Sequence, residues 1–376
     1  MRLLGETEVV FTLWALPTIG IMFFCDGWRT TCTFINSIDV TEAIYVAAAM
    51  VIALSTPILV LAAKFCAWLI RHLSSSAAVE WFLLMTVCPL FTLFMKDSVA
   101  MVLAALILSN RFLSRKPSKA FVHAMLAALF VNISLACLAS PLSSPAMIMM
   151  SSTWNWGWRE LFQTFVPQML LTLLLINGCF LYRFREELKE LTKKSVAKVQ
   201  LRTPIWIGVL YLAMLIVIGI HLEFPVIVIG LLLFFLGLHH AFFPNDPIDL
   251  TQASLTFLFI GSLMIHADLQ GSWIVNMLDD LPERWIVPMT ALVSGFIDKT
   301  VVAAFAVKAQ TLTVSAQNAF AAGACIGGGL TVIASAPNIA GYVTFRGAYG
   351  KDLSFVRLTI EALPPTFIAL LIFLSL

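Results

Sequence analysis

Residues 289–310 read MTALVSGFIDKTVVAAFAVKAQ, and residues 319–341 read AFAAGACIGGGLTVIASAPNIAG. The first run carries a charged pair, Asp298 and Lys299, in apolar surroundings. The second is interrupted by Gly327-Gly328-Gly329 and again by Ala336-Pro337-Asn338. Hydrocarbon offers no hydrogen-bond partner, so backbone that leaves the helix inside a bilayer must be buried by protein or line a polar cavity. Two interrupted segments in succession therefore point to a solute site.

The rest of the chain justifies the assumption of a bilayer. Of its 376 residues 60% are hydrophobic and only 12% charged, with a mean hydropathy of +0.94. An average soluble domain carries about twice that charge, so the composition is that of a polytopic membrane protein. The first apolar run, Thr7 to Phe24, has only Arg2 ahead of it and no small-residue cleavage site behind it, and reads as a retained span. Basic residues do not alternate with aromatics, which excludes a nucleic-acid partner. No Gly-x-Ser-x-Gly, His-Glu-x-x-His or P-loop pattern occurs, which argues against an enzyme and against ATP-driven transport. The seven cysteines form no Cys-x-x-Cys pair, and no cofactor is expected.

A crossing needs about twenty apolar residues. On that rule the spans are 7–24, 41–70 with a kink at Pro57, 120–150, 159–182, 204–221, 225–243, 251–266 and 357–376. Four runs contain breaks. Residues 79–108 hold Lys96-Asp97 at their centre and read as a re-entrant hairpin, because two charges mid-membrane are costly in one straight span. Residues 139–145, ASPLSSP, should unwind the run 120–150. Residues 284–307 and 316–345 repeat this plan. Between the halves, RFREELKELTKKSVAKVQLR (183–202) reads as an amphipathic surface helix or solvated loop.

With the N-terminus inside and each hairpin returning to its own side, most of the 23 Lys and Arg residues fall in the cytoplasm, as charge bias requires. The expected fold is all-α, about ten transmembrane helices in two inverted repeats, each with a re-entrant hairpin and a broken helix. The parts are a first repeat over 1–182, a linker and connecting helix over 183–222, and a second repeat over 223–376. Sequence echoes agree: Phe94-Met95-Lys96-Asp97-Ser98 resembles Phe296-Ile297-Asp298-Lys299-Thr300 with the charges exchanged, and Ala139-Ser140-Pro141 resembles Ser335-Ala336-Pro337. Inverted repeats with paired breaks mark a secondary transporter.

Gly327-Gly-Gly-Leu-Thr-Val-Ile-Ala-Ser-Ala-Pro-Asn338, with Leu263 to Trp273 and Ala362-Leu-Pro-Pro-Thr366, resembles a sodium/proton antiporter family of the ion-transporter superfamily. Relatives include the D-type sodium/proton antiporters and the arsenite-pump membrane subunit. The resemblance implies cation/proton antiport. The chain departs from the family pattern at Lys96 and Lys299, which stand beside the two expected acidic positions.

The residues themselves supply the candidates. Asp97, Asp298, Lys96 and Lys299 are ionisable groups at membrane depth, which serve either transport or a structural ion pair. Ser98 and Thr300 follow each pair and offer hydroxyls, to a ligand or back to the helix backbone. Ser140, Gly328, Thr331, Ser335 and Asn338 sit in the breaks. Their oxygens suit a hard cation, with Asp298 and Asn338 as sodium ligands, although helix-end N–H groups would equally suit an oxyanion, and the glycines could instead serve close packing. Glu42, Glu80 and Glu361 rank second, His266 reads as a capped or packed histidine more readily than as a proton relay, and His239-His240 read as interfacial.

The expected function is a sodium (or other monovalent cation)/proton antiporter working by alternating access. The alternatives are an anion or carboxylate carrier using Lys96 and Lys299, and a non-transporting membrane protein. The expected partners are the lipid bilayer, a small inorganic cation and the proton, with a homodimer left open. The expected location is a bacterial inner membrane, with the N-terminus cytoplasmic and the C-terminus periplasmic. Cys25 and Cys32, in an external loop, are within reach of a disulfide.

Overall fold

The computed structural model describes residues 7–38, 41–53, 55–73, 76–193, 204–220, 224–244, scattered positions from 246 to 266, 282–308, 312–349 and 353–374. In chain order the helices are α1 (Thr7–Asp26), α2 (Trp28–Ser37), α3 (Thr41–Ala53), α4 (Thr56–Leu73), α5 (Ala77–Leu90), α6 (Asp97–Phe112), α7 (Lys119–Ala136), α8 (Pro145–Trp154) and α9 (Trp158–Thr164). They continue with α10 (Val166–Arg183), α11 (Arg185–Thr192), α12 (Ile205–Ile220), α13 (Pro225–Phe242), α14 (Glu283–Ser294), α15 (Lys299–Ala306), α16 (Val314–Gly327), α17 (Ala336–Tyr349) and α18 (Phe355–Phe373). Among the described residues five helical stretches are long and apolar enough to cross a membrane: 97–115, 119–139, 166–183, 225–242 and 355–373.

Local chemistry sets these bounds. Ser76, Ser118, Ser144, Thr313 and Ser354 each accept a backbone N–H of the first turn of α5, α7, α8, α16 and α18, the usual satisfaction of orphan donors at a helix start. Two prolines divide runs that the sequence reading took as continuous, whereas Pro17, Pro288, Pro364 and Pro365 lie inside helices. Pro57 lacks an N–H and its ring clashes with the carbonyl four residues back, so the run 41–70 is two helices, α3 and α4, instead of one kinked span. Pro167 likewise divides the run 159–182 into α9 and α10.

Helix α7 is the centre of the molecule, buried from Phe121 to Ala136. Around it, α5 and α10 meet through an aromatic stack: Trp81 lies parallel to Phe180 at 3.9 Å between ring centroids, and Phe121 of α7 meets Phe180 and Phe184 edge-on. Offset and T-shaped rings contribute about 0.5–1.5 kcal/mol each beyond burial. Glu80 of α5, a second-rank candidate, holds Arg111 at 3.2 Å and Arg115 at 2.7 Å and so ties α5 to the end of α6. The first part of the 183–202 segment is an amphipathic helix, α11: Leu188 and Leu191 are buried, Glu187 accepts the N–H and hydroxyl of Ser118, and Thr192 accepts the N–H of Ala77. Residues 194–203 lie outside the described residues.

Other expectations are corrected. The expected loop between Cys25 and Cys32 is helical, with only Gly27 at a positive φ of 81° between α1 and α2, and both thiols are free. His239 is buried, its ring held by the Tyr211 hydroxyl at 3.3 Å and the Asp246 carbonyl at 3.1 Å, whereas His240 is exposed. Much of the expected span 251–266, the loop after it and the side chain of Glu42 lie outside the described residues.

Candidate functional site

Residues 77–154 and 283–349 follow one plan: a helix, a break, a second helix, a third helix, a second break and a fourth helix. The two sets interlock crosswise, with α6 against α17, α15 against α8, and α7 against α16.

In the first set the hairpin break passes through Lys96 into α6, and the N–H of Asp97 donates to the carbonyl of Ser143 at 2.7 Å. The Ser140 hydroxyl reaches the carbonyl of Leu93 at 3.5 Å. In the second set the N–H of Lys299 donates to the carbonyl of Ala334 at 3.2 Å, and the Thr331 hydroxyl to the carbonyl of Gly295 at 2.8 Å. Each hairpin is thus bonded to the unwound segment that follows it, by the same two bonds. These bonds pair Ser140 with Thr331, and Ser144 and Ser335 each stand immediately before a helix. The counterpart of Ser335-Ala336 is therefore Ser144-Pro145, five residues beyond the sequence echo at Ala139-Ser140-Pro141.

Asp97 and Lys299 meet across the two sets. Lys299 Nζ donates to Asp97 Oδ2 at 2.7 Å and lies 3.5 Å from Cys137 Sγ; both side chains are almost wholly buried, at 1% and 2% exposure. Asp97 Oδ1 accepts the Ser98 N–H at 2.8 Å, with the Ser98 hydroxyl at 3.4 Å. Asp298 is held differently. Its Oδ1 accepts the N–H of Thr300 at 2.7 Å and its Oδ2 the N–H of Ala336 at 3.2 Å, so one carboxylate caps α15 and α17 together. Two helix N-termini direct partial positive charge onto it. Lys96 is buried beside these groups in sequence, as the residue preceding α6.

The glycines allow backbones to touch. A Cβ at Gly327 would collide with the carbonyl of Ala291, one at Gly323 with the carbonyl of Val287, and one at Gly329 would stand 2.5 Å from Val131 Cα. At Gly328 it would meet Lys299 Cδ at 3.0 Å and Ser134 Oγ at 2.8 Å, so the absent side chain leaves room for the lysine stem. Asn338 ties the break together, its amide NH2 donating to the carbonyls of Gly328 and Thr331, both at 2.8 Å. Only its Oδ1 then remains to ligate a cation. Ser335 is buried and its carbonyl accepts the Asn338 N–H. Among the described residues no three His, Cys, Asp or Glu side chains gather as a metal cluster.

The sequence reading passed over several members of this region. Ser134 donates to the carbonyl of Cys325 at 2.7 Å where α7 crosses α16, and Cys137 touches the ion pair. Asn132 donates to Asn177 at 2.9 Å and to the carbonyl of Met85, and Asn177 to Thr86, a buried polar chain through α7, α10 and α5. For Asn132 and Asn177 the signal available was an amide side chain inside an apolar run. The second-rank Glu361 pairs with both terminal nitrogens of Arg183, at the end of a small apolar cleft between α10 and α18, and His266 is half-buried.

A solved structure of the Alcanivorax borkumensis YdaH transporter is similar at 13% identity, with 98% of this chain and 96% of that one covered and a TM-score of 0.46. No curated protein sequence matches the chain. The family described as "Putative Na+/H+ antiporter" matches residues 1–376. The chain belongs to that antiporter family, as an integral membrane protein.

Proposed function

We propose that the protein is a secondary transporter that exchanges sodium, or another monovalent cation, for protons by alternating access. The observation that carries this reading is Asp298, a buried carboxylate in the second hairpin break whose two oxygens face the first turns of two helices. A proton and a cation compete for such a group: the protonated acid carries no charge to move, and the carboxylate released by proton loss takes a hard cation, with carbonyl and amide oxygens completing the shell. Thr331, Ser335, Asn338 and the carbonyls around Gly328 are the oxygens of the unwound segment, which Asp298 meets at the start of the following helix; Ser98 and Thr300 hold corresponding places after the two hairpin breaks, and Ser140 is the counterpart of Thr331. Asp97, the other carboxylate at this depth, already has Lys299 as its counter-cation.

Several finer features belong to this proposal. They are two inverted repeats with re-entrant hairpins, about ten crossings, the division at 182 and 222, and a bacterial inner membrane with the N-terminus inside; a homodimer is left open. The rival assignment of Lys96 and Lys299 to a carboxylate substrate is less favoured, since Asp97 occupies the Lys299 ammonium at 2.7 Å. The test is reconstitution in liposomes with an internal pH dye. Addition of sodium, lithium or potassium should drive proton movement, and small carboxylates should not; the reverse outcome would assign the rival.

A further inference from the structure

Two contacts in the core join residues that occupy the same place in the two matching sets of helices. The hairpin bonds equate Leu93 with Gly295 and Asp97 with Lys299, and the bonds of the unwound segments equate Ser140 with Thr331 and Ser143 with Ala334. The separation of 202 residues that relates the hairpins is the one between Asp97 and Lys299, partners in the buried ion pair. The separation of 191 that relates the unwound segments is the one between Ser134 and Cys325, joined by the Ser134 hydroxyl at 2.7 Å. A residue can touch its own counterpart only where the operation relating the two sets leaves points fixed, which for rotation by half a turn is the axis itself. Two such contacts at different places in the core lie on one line.

We infer that Asp97 and Lys299 form a pivot on the pseudo-two-fold axis, a pair that is kept through the transport cycle, and that Asp298, off the axis, is the group that exchanges its ligand. The inference rests on the proposed alternating access. In an inverted-repeat carrier the opposite-facing state arises when the two repeats exchange conformations. That exchange carries a contact between x and its counterpart onto itself. Asp97 and Lys299 therefore stay neighbours in both states, as do Ser134 and Cys325, although the Ser134 hydroxyl bond maps onto a contact of the Cys325 thiol with the Ser134 carbonyl. The Asp298 contact with the Ala336 N–H has no such protection, because its image is a contact between Lys96 and the start of α8, a different pair of groups. The pivot pair is in contact with Cys137, and the Lys299 stem runs against Gly328. Asp97 and Lys299 are on this account positioning residues, acting by holding the hairpins together while other contacts change.

The experiment compares three variants of the full chain in liposomes, reading cation-driven proton flux for its maximal rate, its KM for the cation and its pH midpoint. Asp97→Asn with Lys299→Met removes the charge from the pivot. It should lower the maximal rate several-fold and leave KM and pH midpoint where they are in the unaltered protein. Asp97→Lys with Lys299→Asp exchanges the pair as the axis does and, should the neutral pair fail to fold, serves the same purpose; its KM and midpoint should also be unmoved. Asp298→Asn should abolish the coupled flux. A tenfold shift of KM, or a displaced pH midpoint, in either pivot variant would overturn the inference while leaving antiport standing. Absence of cation-driven proton movement in the unaltered protein would remove the antiport reading and the pivot with it.

Discussion

Asp97 and Lys299 are 202 residues apart in the chain and 2.7 Å apart in space, each at the first residue of a helix that follows a hairpin break. The pair fastens the two halves of the molecule where neither side chain meets solvent or lipid. Desolvating two charges can cost as much as their attraction returns, but removing only one leaves the other stranded. Asp97→Asn alone should thus destabilise the protein by about 3–5 kcal/mol, and Asp97→Asn with Lys299→Met should recover most of that loss. Melting temperatures of the purified variants in one detergent check this. Equal melting of the single and double variants would separate the pair from stability.

A second buried acid gives a contrast between two ion pairs. Glu80 lies between Arg111 and Arg115, and its side chain and that of Arg115 are each 6% exposed. Glu361 faces Arg183, which is 51% exposed. Glu80→Gln should lower stability by about 3 kcal/mol or more, since it strands Arg115. Glu361→Gln should cost less, about 1 kcal/mol, because the Arg183 it leaves behind is half-exposed and solvated. Thermal unfolding of both variants provides the ranking.

Glycine substitutions test the packing at the second break. Gly329→Ala places a methyl 2.5 Å from Val131 Cα, which is backbone and cannot turn aside. It should separate α7 from the break and destabilise by about 1–3 kcal/mol or more. Gly230→Ala, in α13, meets nothing within 4 Å and should be neutral or stabilising by up to about 1 kcal/mol from helix propensity. Equal expression yield and melting temperature for the two would refute the close approach at Gly329.

Cation binding should be visible without transport. A ligand that binds only the folded state at a hundred times its Kd adds about 2.7 kcal/mol of stability. Sodium at such a concentration should raise the melting temperature of the unaltered protein relative to choline at equal ionic strength. Asn338→Ala should blunt that rise and lower the starting temperature, because the carbonyls of Gly328 and Thr331 lose a donor. A rise of the same size in the variant would remove Asn338 from the cation shell.

The breaks were legible in the sequence because a bilayer makes them conspicuous. Asp298-Lys299 and the run Gly327 to Asn338 are polar or helix-breaking residues in segments otherwise apolar, and the structure interrupts its helices at both. The family was legible too, in the Gly327–Asn338 stretch. What escaped was register and partnership. Ala139-Ser140-Pro141 looks like Ser335-Ala336-Pro337 because small residues and proline recur through both breaks, yet hydrogen bonding matches Thr331 to Ser140. Ser134 and Cys137 gave no warning, since a small polar side chain in a buried helix is ordinary until its partner is known. The division of 41–70 at Pro57 was read as a kink because proline in membrane helices can be accommodated; here the helix ends.

The central claim is that Asp298 carries the exchange of proton for cation. Asp298→Asn keeps the size of the side chain and an oxygen that can still accept the Thr300 N–H, and forfeits the bond from Ala336, a loss of about 1 kcal/mol. The variant should therefore fold. The direct measurement is the internal pH of liposomes holding equal amounts of unaltered and Asp298→Asn protein after a sodium pulse, with folding verified by melting temperature. The account predicts a pH change with the unaltered protein and none with a folded variant. A folded variant that moves protons within a few-fold of the unaltered rate would contradict it.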